Sequence, residues 1–331
     1  MLIASGLDDD SRWSFAARCD GRDAMTYYYA ALGLVEGLNP YDRAEILRHL
    51  NETPHFVYPI FTLPFFLPLV VFEPPTALVL FGVAHLVGFV ALIAIWRRLL
   101  PIDWRLQALL LPVGFGATAI HDLCSSNVVT FEALAVWLGI ALLWQGKPNR
   151  FLGWVTLAAL FKFLWLALLP LALRYAVASW RACTAVIATL MAALVAWFFL
   201  WPQTFWQWLV NVRSTTAIRY NVFTALRTLD ESLGGAIGGP LLDRWETWAY
   251  GFWIAFVLAV VIALLRRGLG IRSLSLLAPL TLLVLWPGNL SYSWLIALPI
   301  ASALIFFLAA RGQSAFAIAM TAICIVPQPM F

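Results

Sequence analysis

Asp23 and Tyr27 stand four residues apart in GRDAMTYYYAALGLVEGLNPYD, residues 21–42, ahead of the first long apolar run. A spacing of four puts both side chains on one helix face. The stretch 24–35 reads as a helix that ends at Gly37. Two compatible roles suit Asp23. It can cap the helix N-terminus, which Asp does well. It can also act as a base at the rim of a membrane cavity, taking a proton from a sugar hydroxyl. Asn39-Pro40-Tyr41-Asp42 is a turn signal, with Asp42 solvated or capping.

Four other places carry polar chemistry. His121-Asp122 lies in a short polar loop, HDLCSSN, where it is either exposed or able to support a base or a metal. Glu132 follows about one turn into the next apolar run; it either snorkels or marks function. Lys162 has apolar sequence on both sides. If the helix breaks there, Lys162 faces a cavity and can hold a phosphate as a point charge; otherwise it snorkels. In WQWLVNVRSTTAIRYNVFTALRTL, 206–229, Arg213, Arg219 and Arg227 alternate with apolar positions. That pattern suits an amphipathic helix on a membrane surface, its arginines on a specific lipid phosphate or on ordinary headgroups.

The elements that position these residues are mostly apolar. Of 331 residues, 63% are hydrophobic and 11% charged, and mean hydropathy is +0.86. A soluble domain carries roughly a quarter charged residues, so the composition implies a multi-pass, all-α membrane protein. Seventeen Trp and 23 Phe suit the headgroup zone. No basic cluster points to nucleic acid. The cysteines, Cys19, Cys124, Cys183 and Cys324, have no metal-type spacing and read as packing residues, with a Cys19–Cys124 disulfide as the one open pairing. No tight ligand cluster identifies a cofactor, and the pattern leaves a divalent metal open.

Candidate spans fall at 77–96, 105–120, 128–144, 183–201, 248–265, 273–286, 293–310 and 314–327. The stretch 58–75 is apolar but broken by five prolines, so it reads as interfacial or re-entrant. The stretch 150–175 is either one tilted helix or two short ones meeting at Lys162. If 58–75 does not cross and 150–175 returns, one side holds eleven of the Lys and Arg with only Asp103 opposing them. The other side holds nine basic and fifteen acidic residues. This is a positive-inside pattern. It puts 1–57 and the loop 202–247 outside, at the extracytoplasmic face of a cell (plasma or inner) membrane. MLIASGLDDD lacks the basic and apolar regions of a signal peptide. Residues 1–57 then need an earlier spanning helix, and a start further upstream is expected.

The order of these segments resembles a family: Asp23, Tyr27-Tyr28, Ala30-Ala31, 37–42, 56–59, Asn127, Lys162 to Pro170, then 211–229. Over about residues 23–300 the chain is similar to family 87 of the GT-C glycosyltransferases, the polyprenyl-phosphate-mannose-dependent mannosyltransferases. The resemblance implies a single GT-C-like membrane domain over 1–331. Its parts are an outer-face segment 1–76 with interfacial helices, helix groups 77–201 and 248–331, and the outer loop 202–247. About 8–10 spanning or half-spanning helices are expected. It implies an inverting enzyme moving mannose or a related sugar from a polyprenyl-phosphate donor to a hydroxyl of a glycan or glycolipid acceptor, with membrane lipid around it.

In that scheme Asp23 is catalytic. Lys162, Arg213, Arg219 and Arg227 meet the phosphate, and Tyr27, Tyr28, Asn127, His121 and Asp122 serve the substrates. Two departures stand out. Ser125-Ser126 precedes Asn127 where the family usually has Gly-Gln, and WPGNLSYSWLIALP, 286–299, lacks the family's histidines. The alternatives are a transporter or lipid flippase, which would also use broken helices and a mid-membrane charge, and an inactive GT-C-like scaffold.

Overall fold

The computed structural model describes residues 21–50, 56–100, 122–174, 179–216 and 270–285, with isolated positions between 255 and 268 and at 312. The described residues are all helical, with eleven helices and no strand. The expected spans at 105–120, 293–310 and 314–327, and most of 248–265, lie outside them.

Helix α1, Arg22–Val35, matches the expected helix. Gly37 takes φ 75°, and the Leu38 N–H returns to the Gly33 carbonyl at 2.8 Å, closing the helix end with a left-handed glycine. The Asn39–Asp42 turn follows. The Asp42 carboxylate accepts the Ala44 and Glu45 N–H groups at 3.0 Å, capping α2, Arg43–Leu50.

The proline-rich stretch forms two short 3-10 helices, Ile60–Phe65 and Leu67–Val71. Proline lacks the N–H that a continuous α-helix needs, so the segment does not become a span. Helix α3, Pro74–Leu99, then runs 26 residues, about 39 Å. It buries one seam, Ala77, Phe81, His85, Gly88, Leu92 and Trp96. Its other faces expose Val79, Val83, Val87 and Val90. An apolar exterior is the surface that lipid, not water, favours.

Helix α4, Val129–Trp144, is the central element, buried on almost every side. Helix α5, Pro148–Phe161, packs beside it. At Lys162 the backbone turns extended, φ −133° and ψ 110°, and a 3-10 helix, Phe163–Arg174, follows with Pro170 inside. Of the two expected forms of 150–175, the broken one is present. Helices α6, Ser179–Leu200, and α7, Pro202–Thr216, come next, with α8 at Ile271–Leu285. Two helices, Pro74–Leu99 and Trp180–Leu200, are long and apolar enough to cross a membrane.

The helices define two ends. At one, an aromatic cluster joins Tyr27, Tyr41, Phe56, Tyr58, Phe66, Phe81, Trp197 and Trp208. Helix α7 is fastened onto it: Trp208 Nε1 donates to the Val57 carbonyl at 2.9 Å, and Asn211 Nδ2 reaches the Tyr41 and Phe56 carbonyls at 3.2 and 3.3 Å. Gln207 bridges Asn39 and Asp42. The other end holds the C-termini of α3 and α4 and the N-termini of α5 and α8. Helix α5 climbs from that end to Phe161, whose ring meets Tyr58. The 3-10 helix beyond Lys162 descends again, since Leu169 lies against Cys183 near the start of α6. The chain over 150–174 therefore turns back on itself at Lys162.

Candidate functional site

Asp23 is not the cap of α1. Gly21 is, at φ 65° with no side-chain cap bond. Asp23 sits inside the first turn, where a carboxylate also meets the favourable end of the helix dipole. Its Oδ2 accepts a hydrogen bond from Asn127 Nδ2 at 2.6 Å. The entry to the helix is anchored too, because the Gly21 N–H donates to the Cys124 carbonyl at 3.0 Å. Cys124 is disulfide-bonded rather than a packing thiol. Cys19, the partner the sequence offers, lies outside the described residues. Cys183 is free and buried.

Asn127 stands in a tightly tied loop. Ser126 takes φ 53°, left-handed for a residue with a side chain. The Asn127 N–H returns to the Asp122 carbonyl at 3.3 Å, and Asn127 Oδ1 accepts the Val129 N–H at 3.1 Å. Asp122 differs from its expected place. It is fully buried, and its Oδ2 meets His85 Nε2 at 2.8 Å and accepts from Thr130 Oγ1. Its carboxylate is turned into the interior rather than toward the surface. A carboxylate removed from water needs such partners, and the His85 seam of α3 supplies them. His121 lies outside the described residues.

Tyr27 and Tyr28 are both buried. Tyr27 stacks on Phe66 at 4.7 Å between centroids, and its hydroxyl accepts the Val128 N–H at 3.4 Å. The Tyr28 hydroxyl donates to the Phe72 carbonyl at 2.9 Å, tying α1 to the 3-10 segment.

Tyr58 joins the two halves of the site. Burial pushes its phenol well above the usual range, the Glu132 and Asp23 carboxylates push it further, and hydrogen bonds with Tyr27 and Asn127 pull the other way. Its hydroxyl thus responds to both the Glu132 and the Asp23 carboxylates.

Glu132 does not snorkel. It is fully buried and meets Lys162 Nζ at 3.2 Å through Oε2. Trp165 Nε1 donates to the same oxygen at 3.2 Å. The side chain of Lys162 keeps 26% exposure. The backbone breaks at Lys162 itself, and Lys162 and Trp165 on either side of that turn meet the same carboxylate oxygen near the start of α4. The site thus holds two polar groupings, Asp23 with Asn127 and Glu132 with Lys162 and Trp165, and the Tyr58 phenol responds to both carboxylates.

Arg213 belongs to α7; Arg219 and Arg227 lie outside the described residues. The site residues not named from sequence are Tyr58, His85, Thr130 and Trp165. A histidine inside a long apolar run was the one available signal, since ionisable groups in such runs are rare without a partner. The described residues contain no group of three or more His, Cys, Asp or Glu placed to hold a metal. No protein family, curated protein or solved structure matches the chain.

Proposed function

We propose that the chain is an integral membrane glycosyltransferase of the GT-C kind, moving mannose or a related sugar from a polyprenyl phosphate to an acceptor hydroxyl at the extracytoplasmic face. The observation that carries this reading is the pairing of two polar groupings in one fold. One holds a carboxylate oriented by Asn127, and the other holds a partly exposed cation at a helix break. Acceptor activation needs a base, and departure of a lipid phosphate needs a cation where charge develops.

In the reaction Asp23 takes the proton of the acceptor hydroxyl. The acceptor oxygen attacks the anomeric carbon, and the carbon–oxygen bond to phosphate breaks on the opposite side, so the centre inverts. The electron pair leaves with the polyprenyl phosphate, whose charge Lys162 meets. Lysine has three donors, so its bond to Glu132 leaves others for phosphate. Arg213, Arg219 and Arg227 are proposed to meet the same phosphate. Asn127 holds Asp23, and buried Tyr27, Tyr28 and Asp122 hold the scaffold around it. The acidic outer and basic inner segments support the orientation, and the apolar exteriors of α3 and α6 support the membrane location.

The helix break at Lys162 also favours a second reading, a carrier or lipid flippase with its site at a discontinuous helix. One experiment separates them. The purified protein in liposomes is given a panel of radiolabelled polyprenyl-phosphate sugars with a glycan acceptor. Label appearing covalently on the acceptor supports the transferase. Label crossing the bilayer still attached to polyprenyl phosphate supports the carrier.

A further inference from the structure

A second charged feature lies at the end of the bundle away from Asp23. The C-termini of α3 and α4 and the N-termini of α5 and α8 border an open cavity of about 590 Å³, within the range of roughly 300–1,000 Å³ that holds small ligands. Arg98, Arg150 and Arg272 line it from three different helices. Among the described residues no acidic residue lines it, and none of the three arginines forms an ion pair. The rest of the lining is largely apolar, with Leu138, Trp144 and Trp154 prominent.

Part of this site is held in place. Trp144 Nε1 donates to Ser275 Oγ at 2.7 Å, and Ser275 Oγ donates to the Arg272 carbonyl at 2.9 Å. The Arg272 guanidinium lies 5.5 Å from the centre of the Trp144 ring, within cation–π range. The indole is fixed at its N–H and carries the guanidinium on its face.

We propose that this cavity binds the headgroup phosphate of an anionic phospholipid of the phosphatidylglycerol class. Charge complementarity selects the anion, since three arginines face no carboxylate among the described residues and guanidinium matches phosphate oxygens in paired hydrogen bonds. The setting selects a lipid rather than a soluble phosphate. Arg98 sits in the last turn of a 26-residue apolar helix, a length that carries its ends into the headgroup layer of a roughly 30 Å hydrocarbon core. Ile95, Leu99 and Leu138 add apolar walls beside the arginines, and α3 exposes further valines along its length, apolar surface suited to acyl chains. Basic pockets between helices at this depth suit anionic headgroups. The inference rests on membrane placement alone and is independent of sugar transfer.

The test uses the full chain in mixed micelles with equal amounts of phosphatidylglycerol and phosphatidylcholine, with retained lipid counted by native mass spectrometry. The wild type is expected to retain phosphatidylglycerol preferentially. Each of Arg98→Gln, Arg150→Gln and Arg272→Gln is expected to lower that preference about fivefold, and the triple variant to abolish it. Glycerol 3-phosphate at equal concentration should not displace the lipid. Equal retention of the two lipids by the wild type would overturn the proposal even if a variant failed to fold. So would a folded triple variant that still discriminates, or displacement by glycerol 3-phosphate, which would make the site one for soluble phosphates.

Discussion

Replacing Lys162 by Met should destabilise the protein more than replacing its partner Glu132 by Leu, although both remove the same ion pair. The Glu132 side chain is 0% exposed, whereas Lys162 keeps 26%. Lys162→Met leaves a buried carboxylate with Oε1 unpartnered among the described residues and Oε2 held only by Trp165. Breaking a buried pair in this way costs about 3–5 kcal/mol. Glu132→Leu leaves a cation that can turn toward the exposed side, so its cost falls to about 1–2 kcal/mol, between the exposed and buried cases. Leu and Met together remove both charges, and the double variant should be no worse than Glu132→Leu alone. The coupling then equals at least the whole cost of Lys162→Met, about 3–5 kcal/mol. Thermal unfolding of all four proteins in one detergent reads it, with Lys162→Met melting about 6–10 °C below wild type. The double variant should recover the fold without recovering sugar transfer, because the phosphate has lost its cation. Two single effects that add within about 0.5 kcal/mol, or a larger loss for Glu132→Leu, would refute the reasoning.

Other perturbations report on neighbouring parts of the site. Asp122→Leu should cost about 3–5 kcal/mol by leaving buried His85 without its partner. Asp122→Asn, which can still accept from Thr130, should cost less, as read by denaturant midpoints. Gly21→Ala should lower stability by about 1–2 kcal/mol, because φ 65° is costly for a side-chain-bearing residue and the new Cβ would run into Leu78 Cδ1. Alkali should also weaken the fold. Burial raises the Tyr41 and Tyr58 phenols well above their usual value, so the folded state binds these protons more tightly than the unfolded chain. Their contribution is complete below about pH 10 and is lost as pH rises beyond it. Melting curves from pH 8 to 11.5 should fall less steeply for Tyr41→Phe, which starts about 1 kcal/mol lower through loss of its bond to the Tyr58 carbonyl.

The helices were legible where one local signal decided them. Gly37 ended α1, five prolines kept 58–75 out of an α-helix, and apolar runs marked α3, α4 and α6 to within a few residues. The break at Lys162 remained one of two options because periodicity is apolar on both sides of it. What resolves it is a partner, Glu132, thirty residues earlier. The same limit hid the rest of the site. Asp23 reads as a cap because Asp often is one, yet Gly21 takes that place and the carboxylate turns to Asn127. Asp122 reads as a loop residue because its neighbours are polar, yet His85 on another helix draws it into the interior. Tyr58 reads as one aromatic among many. Each of these depends on a contact between distant segments, which spacing within one segment does not encode.

The most direct measurement compares wild type with Asp23→Asn for transfer of labelled mannose from polyprenyl phosphate to a glycan acceptor, with donor binding measured in parallel. Asparagine keeps the size of the side chain but cannot take the acceptor proton. The account predicts a fall in transfer of at least about 100-fold with donor binding retained. Transfer by Asp23→Asn at the wild-type rate would contradict it.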